Sequence, residues 1–177
     1  MLIKSVFAGF GGQGIITMGL NLSLTAMAEN RFVTFLPAYG AEVRGGTANC
    51  TVAISDEEIA SPVASSPEFV IAMNQPSLIR FQNQLESGGV LFVNSTLIEI
   101  EVVRGDIDVV KIPANKIAED MGNARGANMV MLGAFVKKSR LVKIDTVMQV
   151  LANQQGSKIK IFTANKKSLL AGYELLK

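Results

Sequence analysis

Apolar and polar positions fall into blocks along this chain, and the blocks change period in a regular order. Ile3–Ala8 is a short apolar run, the length of a strand. Ile15–Glu29 carries one apolar stripe at Ile15, Met18, Leu22 and Ala26, and a second at Ile16, Leu20, Leu24 and Met27. That spacing predicts a helix buried on two sides. Arg31–Leu36, rich in Phe and Val, reads as the next strand, ended by Pro37. Strand, helix and strand in this order predict a right-handed crossover and a parallel sheet. Thr47–Ser55 then alternates Ala48, Cys50, Val52 and Ile54 against Asn49, Thr51 and Ala53. This is the period of a half-buried strand, with Cys50 on the inward side as a structural thiol.

Farther on, Phe69–Met73 reads as a buried strand, and Pro76 suits the first turn of a helix reaching Leu85. Gly88-Gly89 leads into a strand at Val90–Val93, closed by Asn94-Ser95-Thr96. Ile98–Val103 and Ile107–Ile112 are strand-like on either side of Arg104-Gly105-Asp106, which predicts a hairpin. Helices are predicted at Ala114–Met121, Ala127–Lys137, Ile144–Asn153 and Lys166–Leu176, with a short strand at Lys158–Thr163. Nothing resembling a linker or repeat divides the sequence. The expectation is one α/β domain over residues 1–177: a mainly parallel sheet flanked by helices, a Rossmann-like three-layer sandwich with its functional loops at the strand C-terminal ends.

Composition narrows the chemistry. Charged residues make up only 18% of the 177, and mean hydropathy is +0.32. Globular domains average about 25% charged residues, so this balance predicts surface covered by other chains, a homodimer being one way to cover it. No apolar run reaches the ~20 residues of a bilayer span, and the N-terminus lacks the pattern of a signal peptide. A single cysteine, Cys50, fits a reducing cytoplasm and excludes an internal disulfide framework. Histidine is absent, removing the commonest general base and metal ligand. One thiol is also too few for an iron–sulfur cluster. No catalytic residue and no metal site is therefore expected on this chain. The net charge of +2 hides an uneven distribution. Residues 1–136 hold 8 basic and 13 acidic side chains (net −5), and residues 137–177 hold 9 and 2 (net +7). The basic quarter is either a solvated helix surface or faces something anionic.

Two glycine-rich loops remain. Gly9-Phe10-Gly11-Gly12-Gln13-Gly14 lies between the first strand and the first helix, where backbone N–H groups favour an anion such as phosphate. It matches the dinucleotide fingerprint, yet the second strand ends Thr34-Phe35-Leu36-Pro37 without the carboxylate that would hold a ribose. No Gly-Lys-Ser/Thr follows, so it is not a Walker loop either. The glycines serve either phosphate contact or only a tight turn and close helix packing. Gln13, an amide between glycines, has few packing duties and is expected to address a ligand or partner. The second loop runs Pro37-Ala38-Tyr39-Gly40-Ala41-Glu42-Val43-Arg44-Gly45-Gly46. Arg44 can clamp a carboxylate or phosphate, Gly45-Gly46 lets backbone approach it, and Tyr39 offers an amphipathic ring. Alternatively, Glu42 and Arg44 pair to brace the loop. One Arg-Gly-Gly between strands is not a repeated RNA-binding tail, and no nucleic-acid partner is expected.

These two stretches, with Thr47-Ala48-Asn49-Cys50, Ile59-Ala60-Ser61-Pro62, Met73-Asn74-Gln75-Pro76-Ser77 and Asn128-Met129-Val130-Met131-Leu132-Gly133-Ala134, resemble the gamma subunit of 2-oxoacid:ferredoxin oxidoreductases. The resemblance runs through the whole chain in family order. Arg44 to Cys50 looks most like the 2-oxoglutarate and branched-chain ketoacid enzymes, pyruvate enzymes differing after the arginine; 2-oxoglutarate is the favoured substrate, with ketoisovalerate as runner-up. The resemblance implies that 2-oxoacid, CoA and oxidised ferredoxin give acyl-CoA, carbon dioxide and reduced ferredoxin. It places thiamine diphosphate, Mg2+ and Fe–S clusters on companion alpha and beta subunits, with a delta or ferredoxin-like subunit in some complexes. For this chain it implies a wall of the active site or CoA approach formed by Gly11, Gly12, Gln13, Gly14, Tyr39, Glu42, Arg44, Gly45 and Gly46, with the isolated chain inactive. Two other classes compete: a free-standing nucleotide-binding enzyme, and a purely structural assembly module.

Overall fold

The computed structural model describes residues 1–40, 46–155 and 158–176. Strand β1 (Leu2–Phe10) leads into helix α1 (Ile15–Ala28), followed by β2 (Phe32–Tyr39) and β3 (Thr47–Ser55). Next come β4 (Phe69–Ala72), α2 (Gln75–Phe81), β5 (Val90–Asn94) and β6 (Asp108–Ile112). Four helices close the chain: α3 (Ala114–Asp120), α4 (Ala127–Ser139), α5 (Ile144–Gln155) and α6 (Ile159–Leu175). The six strands form one sheet in the order β2-β3-β1-β4-β5-β6. β1, β4, β5 and β6 pair in parallel, and β3 runs antiparallel between β1 and β2.

The alternation read from the sequence sorts side chains onto two faces. Phe7, Cys50, Val52, Ile54, Ile71, Phe92 and Ile112 enter the larger core beneath α1, α3, α4, α5 and α6. Phe135 of α4 stands at its centre, with ring centroids 5.5, 5.4 and 5.6 Å from Phe7, Phe69 and Phe92. The α1 stripe Ile15, Met18, Leu22 and Ala26 is almost wholly buried, each larger side chain contributing about 1.5–3 kcal/mol of transfer free energy. The opposite face holds a smaller core of Val6, Val70, Leu78, Phe81, Leu91 and Ile98 under α2. On that face Phe32 and Leu36 of β2 and Leu2 at the start of β1 are exposed, whereas Ala53 and Ser55 of β3 between them are buried.

Single-domain α/β architecture with a mainly parallel sheet is as expected; five local expectations need correction. β2 does not stop at Pro37 but runs to Tyr39. It is an edge strand, so the missing proline N–H interrupts no second ladder. β1 and β2 are not neighbours, because β3 lies between them. The sequence pattern of the first crossover cannot reveal a later strand inserted antiparallel.

Ile98–Val103 forms no hairpin with β6. Ile98 turns into the smaller core, whereas Val103 is 95% exposed. Arg104 anchors this segment by donating to the carbonyls of Gln82 and Leu85, both at 2.7 Å, and by pairing with Asp106. Last, Lys158–Thr163 is not a strand: α6 begins at Ile159 rather than Lys166. Phe162, Leu169 and Tyr173 meet the core at helical spacing, while Ile159 and Ile161 stay exposed. The helix predicted to reach Leu85 also ends sooner, α2 passing into a short 3-10 turn at Gln82–Gln84.

Candidate functional site

The glycine turn sits where β1 hands over to α1. Gln13 N–H donates to Phe10 O (3.1 Å), closing the turn, and Gly14 adopts φ 72° as the residue before the helix. That left-handed backbone suits glycine, and a Cβ there would fall on the Asn128 side chain. No side chain caps α1, and its first turn carries no acid. The N–H groups of its first residues have no intrahelical acceptor, so the helix end presents donors and a positive dipole end outward.

The two loops meet. Gly11 N–H donates to Gly46 O at 2.9 Å, and Gly40 N–H to Thr47 O at 2.7 Å. Gly11, Gly12, Gly14 and Tyr39 line one recess of about 480 Å³ together with Ile16 and Thr17. Tyr39 is 70% exposed at its rim. Among the predicted site residues, this brings together Gly11, Gly12, Gly14, Tyr39 and, through its carbonyl, Gly46. Glu42, Arg44 and Gly45 lie outside the described residues.

Gln13 behaves differently from expectation. Its Oε1 accepts from Phe10 N–H (2.7 Å) and from Asn74 Nδ2 (3.0 Å), and its Nε2 donates to Met73 O (3.3 Å). Both ends of the amide are thus engaged inside the protein. Asn94 continues the chain of amides, its Nδ2 lying 3.3 Å from Met73 O and 2.8 Å from Asn115 Oδ1. Asn74 also caps α2 by accepting from Ser77 N–H at 2.9 Å. These bonds tie the C-terminal ends of β1, β4 and β5 to the start of α3, which fixes the turn from beneath. Sequence reasoning placed Asn94 only at the close of a strand, and Asn74 only within a stretch that carries the resemblance. The signal was their equivalence: each is an asparagine ending a buried strand.

Arg125 was also missed. It lines a small recess beside Gly12 and Gln13, and a second recess that reaches Thr17. Cys50 is fully buried against α1, and burial pushes its thiol up to about 12, with a backbone hydrogen bond at Gly19 opposing this. At that value it is neither nucleophile nor ligand near neutral pH. No group of three or more His, Cys, Asp or Glu side chains gathers among the described residues in a way that could hold a metal. No described helix is long and apolar enough to cross a membrane.

The chain matches the family described as pyruvate ferredoxin/flavodoxin oxidoreductase over residues 4–175. It is 38% identical over 174 residues to ketoisovalerate oxidoreductase subunit VorA of Methanothermobacter thermautotrophicus, an alignment covering 97% of this chain and 36% of the relative. The chain therefore spans about a third of that protein's length. It is 32% identical over 177 residues to 2-oxoglutarate synthase subunit KorC of Methanothermobacter marburgensis, covering 93% of this chain and 95% of the relative. Among solved structures, the keto/oxoacid ferredoxin oxidoreductase gamma subunit of Geobacter sulfurreducens superposes with a TM-score of 0.82 at 26% identity, covering 97% of this chain and 96% of that one.

Proposed function

The chain belongs to the pyruvate ferredoxin/flavodoxin oxidoreductase family, and from that premise we propose that it is the gamma-type subunit of a multi-subunit 2-oxoacid:ferredoxin oxidoreductase. In that assembly it forms one wall of the approach to the active site, and companion alpha and beta subunits carry thiamine diphosphate, Mg2+ and the Fe–S clusters. The observation that carries this reading is the joined surface of the two loops. The Gly11–Gly46 hydrogen bond sets an uncapped helix end beside the second loop, with Tyr39 at the rim. Outward-facing N–H groups of α1 fit a phosphate of CoA, and Arg44 supplies a cation for that phosphate or for the oxoacid carboxylate. The exposed apolar side chains Phe32, Leu36 and Leu2 support a chain that works in company.

The run Arg44 to Cys50 favours 2-oxoglutarate as the oxoacid, whereas the 38% identity to a ketoisovalerate subunit favours the branched substrate. Activity of the reconstituted complex on 2-oxoglutarate, ketoisovalerate and pyruvate decides between them.

Arg44→Ala in the assembled complex should raise the KM for CoA or oxoacid by about tenfold, one charged hydrogen bond lost. Unchanged KM and kcat would leave the loop as a structural or interface element. The purified chain alone should reduce no viologen with any 2-oxoacid; turnover by it would overturn the division of labour.

A further inference from the structure

The sheet has two edge strands, β2 and β6, and they are built differently. β6 is five residues long and carries Asp108 and Lys111, with Lys138 Nζ 2.6 Å from the Asp108 carboxylate. Shortness and charge are the usual protection of an edge against pairing. β2 is eight residues long, and none of them is charged or buried.

The ladder shows which backbone groups of β2 are free. Residues along an antiparallel strand turn their N–H and C=O alternately to one neighbour and to the other side. Gly40, directly after β2, donates to Thr47 O and so faces β3. By alternation Phe32, Thr34, Leu36 and Ala38 face β3 as well, and Val33, Phe35, Pro37 and Tyr39 face outward. Pro37 agrees with this phase, since the N–H it lacks would point away from β3. The Gly11–Gly46 bond on the other side of β3 gives the same phase. Among the described residues, no backbone bond outside the sheet reaches the outward groups.

Apolar side chains flank this free row on both faces of the sheet. Phe32 and Leu36 stand on one, 46% and 42% exposed. On the other, α1 carries its second stripe, Ile16, Leu20, Leu24 and Met27, whose period predicted burial. Leu20 and Met27 are instead 40% and 58% exposed. Ile16 lines a recess with Tyr39, which puts this stripe on the flank of α1 beside β2. Ile15–Ala28, like β2, holds no charged residue.

We infer that β2 is where a second copy of this chain docks, the two β2 strands pairing antiparallel about a two-fold axis into one continuous sheet. A two-fold interface has to be self-complementary, and this edge is. With the axis at Leu36, Val33 falls opposite Tyr39 of the second copy, and Phe35 falls opposite Pro37 of the second copy. Each Phe35 N–H then meets a Pro37 carbonyl, and only the donor that proline lacks goes unmatched. Leu36 meets Leu36 of the second copy, while the open α1 stripes lie on the other face of the same seam. Uncharged apolar walls on both faces exclude water from such a ladder, which strengthens its hydrogen bonds.

The test is sedimentation equilibrium of the full-length chain, with hydrogen exchange followed at single amides. A dimer is expected at about 10 μM, with the N–H groups of Val33, Phe35 and Tyr39 protected, because in the monomer they have no acceptor. Dilution to monomer should release them. Leu36→Lys on one flank and Leu20→Lys on the other should each weaken association at least about tenfold, since either brings a charge into an apolar seam. If Leu36→Lys folds poorly, Leu20→Lys, on the opposite face, carries the test. A chain that stays monomeric up to about 100 μM overturns the inference. So does a dimer in which those three amides exchange freely, since another face then joins the copies. Protection that appears only when companion subunits are added hands the edge to them and overturns it too. None of these readouts depends on oxoacid turnover, so failure here is distinct from failure of the subunit reading.

Discussion

Cys50 and Gln13 show how one side chain in this sequence can be read rightly by pattern and another wrongly by isolation. Cys50 fell on the inward phase of an alternating strand, and burial followed. Its raised value near 12, against 9.0 for a free thiol, makes stability depend on alkaline pH. The folded state keeps the proton while the unfolded chain loses it, so this contribution is full below about pH 9 and is lost as pH rises toward 12. Unfolding free energies from urea titrations between about pH 9 and pH 11 should fall by roughly 1 kcal/mol per pH unit, with a clearly shallower slope in Cys50→Ala. Equal slopes in the two proteins would mean other groups carry the pH dependence. Gln13, by contrast, was judged from its glycine neighbours alone. Its partners Asn74 and Met73 lie about sixty residues away in sequence, and no local pattern could name them.

At the scale of elements, α4 and α6 pack with backbone against backbone. A Cβ on Gly133 would fall on the Leu169 carbonyl, and one on Gly172 on the Val130 carbonyl. Backbone rather than side chain stands in the way, so the helices would have to move apart. Gly133→Ala and Gly172→Ala should each cost about 3 kcal/mol by denaturant unfolding, the upper range for overpacking. Values near zero would mean that α6 docks more loosely than this contact implies. The same helix explains what the sequence hid. Where an amphipathic or alternating period was long, as in α1 and β3, boundaries were legible to within about two residues. Lys158–Thr163 offered Ile159 and Ile161 at strand spacing, and only Phe162, Leu169 and Tyr173 together reveal the helical face. The site was legible in the same way: loops at the end of β1 and after β2 could be placed, whereas the amides beneath and beside them come from α1, β4, β5, α3 and α4.

Charge plays a different part at the scale of the whole molecule. The sequence divides into a net −5 stretch and a net +7 quarter, which invites the idea that attraction between them holds the fold together. The structure argues against that. Among the described residues, the ion pairs are Asp56 with the N-terminus and Arg31, Arg104–Asp106, Lys116–Asp120 and Lys138–Asp108. The carboxylate in each is at least 45% exposed, and only Lys138–Asp108 joins the basic quarter to the rest. Exposed pairs of this kind contribute about 0–1 kcal/mol each and are screened by salt. Among the described residues, no Asp, Glu, Lys or Arg side chain is buried. Raising salt from about 0.05 M to about 0.5 M should therefore move Tm by less than about 3 °C, since a 1 kcal/mol change corresponds to a few degrees in a chain this long. A fall well beyond that would show that long-range attraction carries the fold. A clear rise would show instead that repulsion within the basic quarter strains it. Sodium chloride is the right salt for the comparison, because sulfate strengthens apolar burial itself and would mask either result.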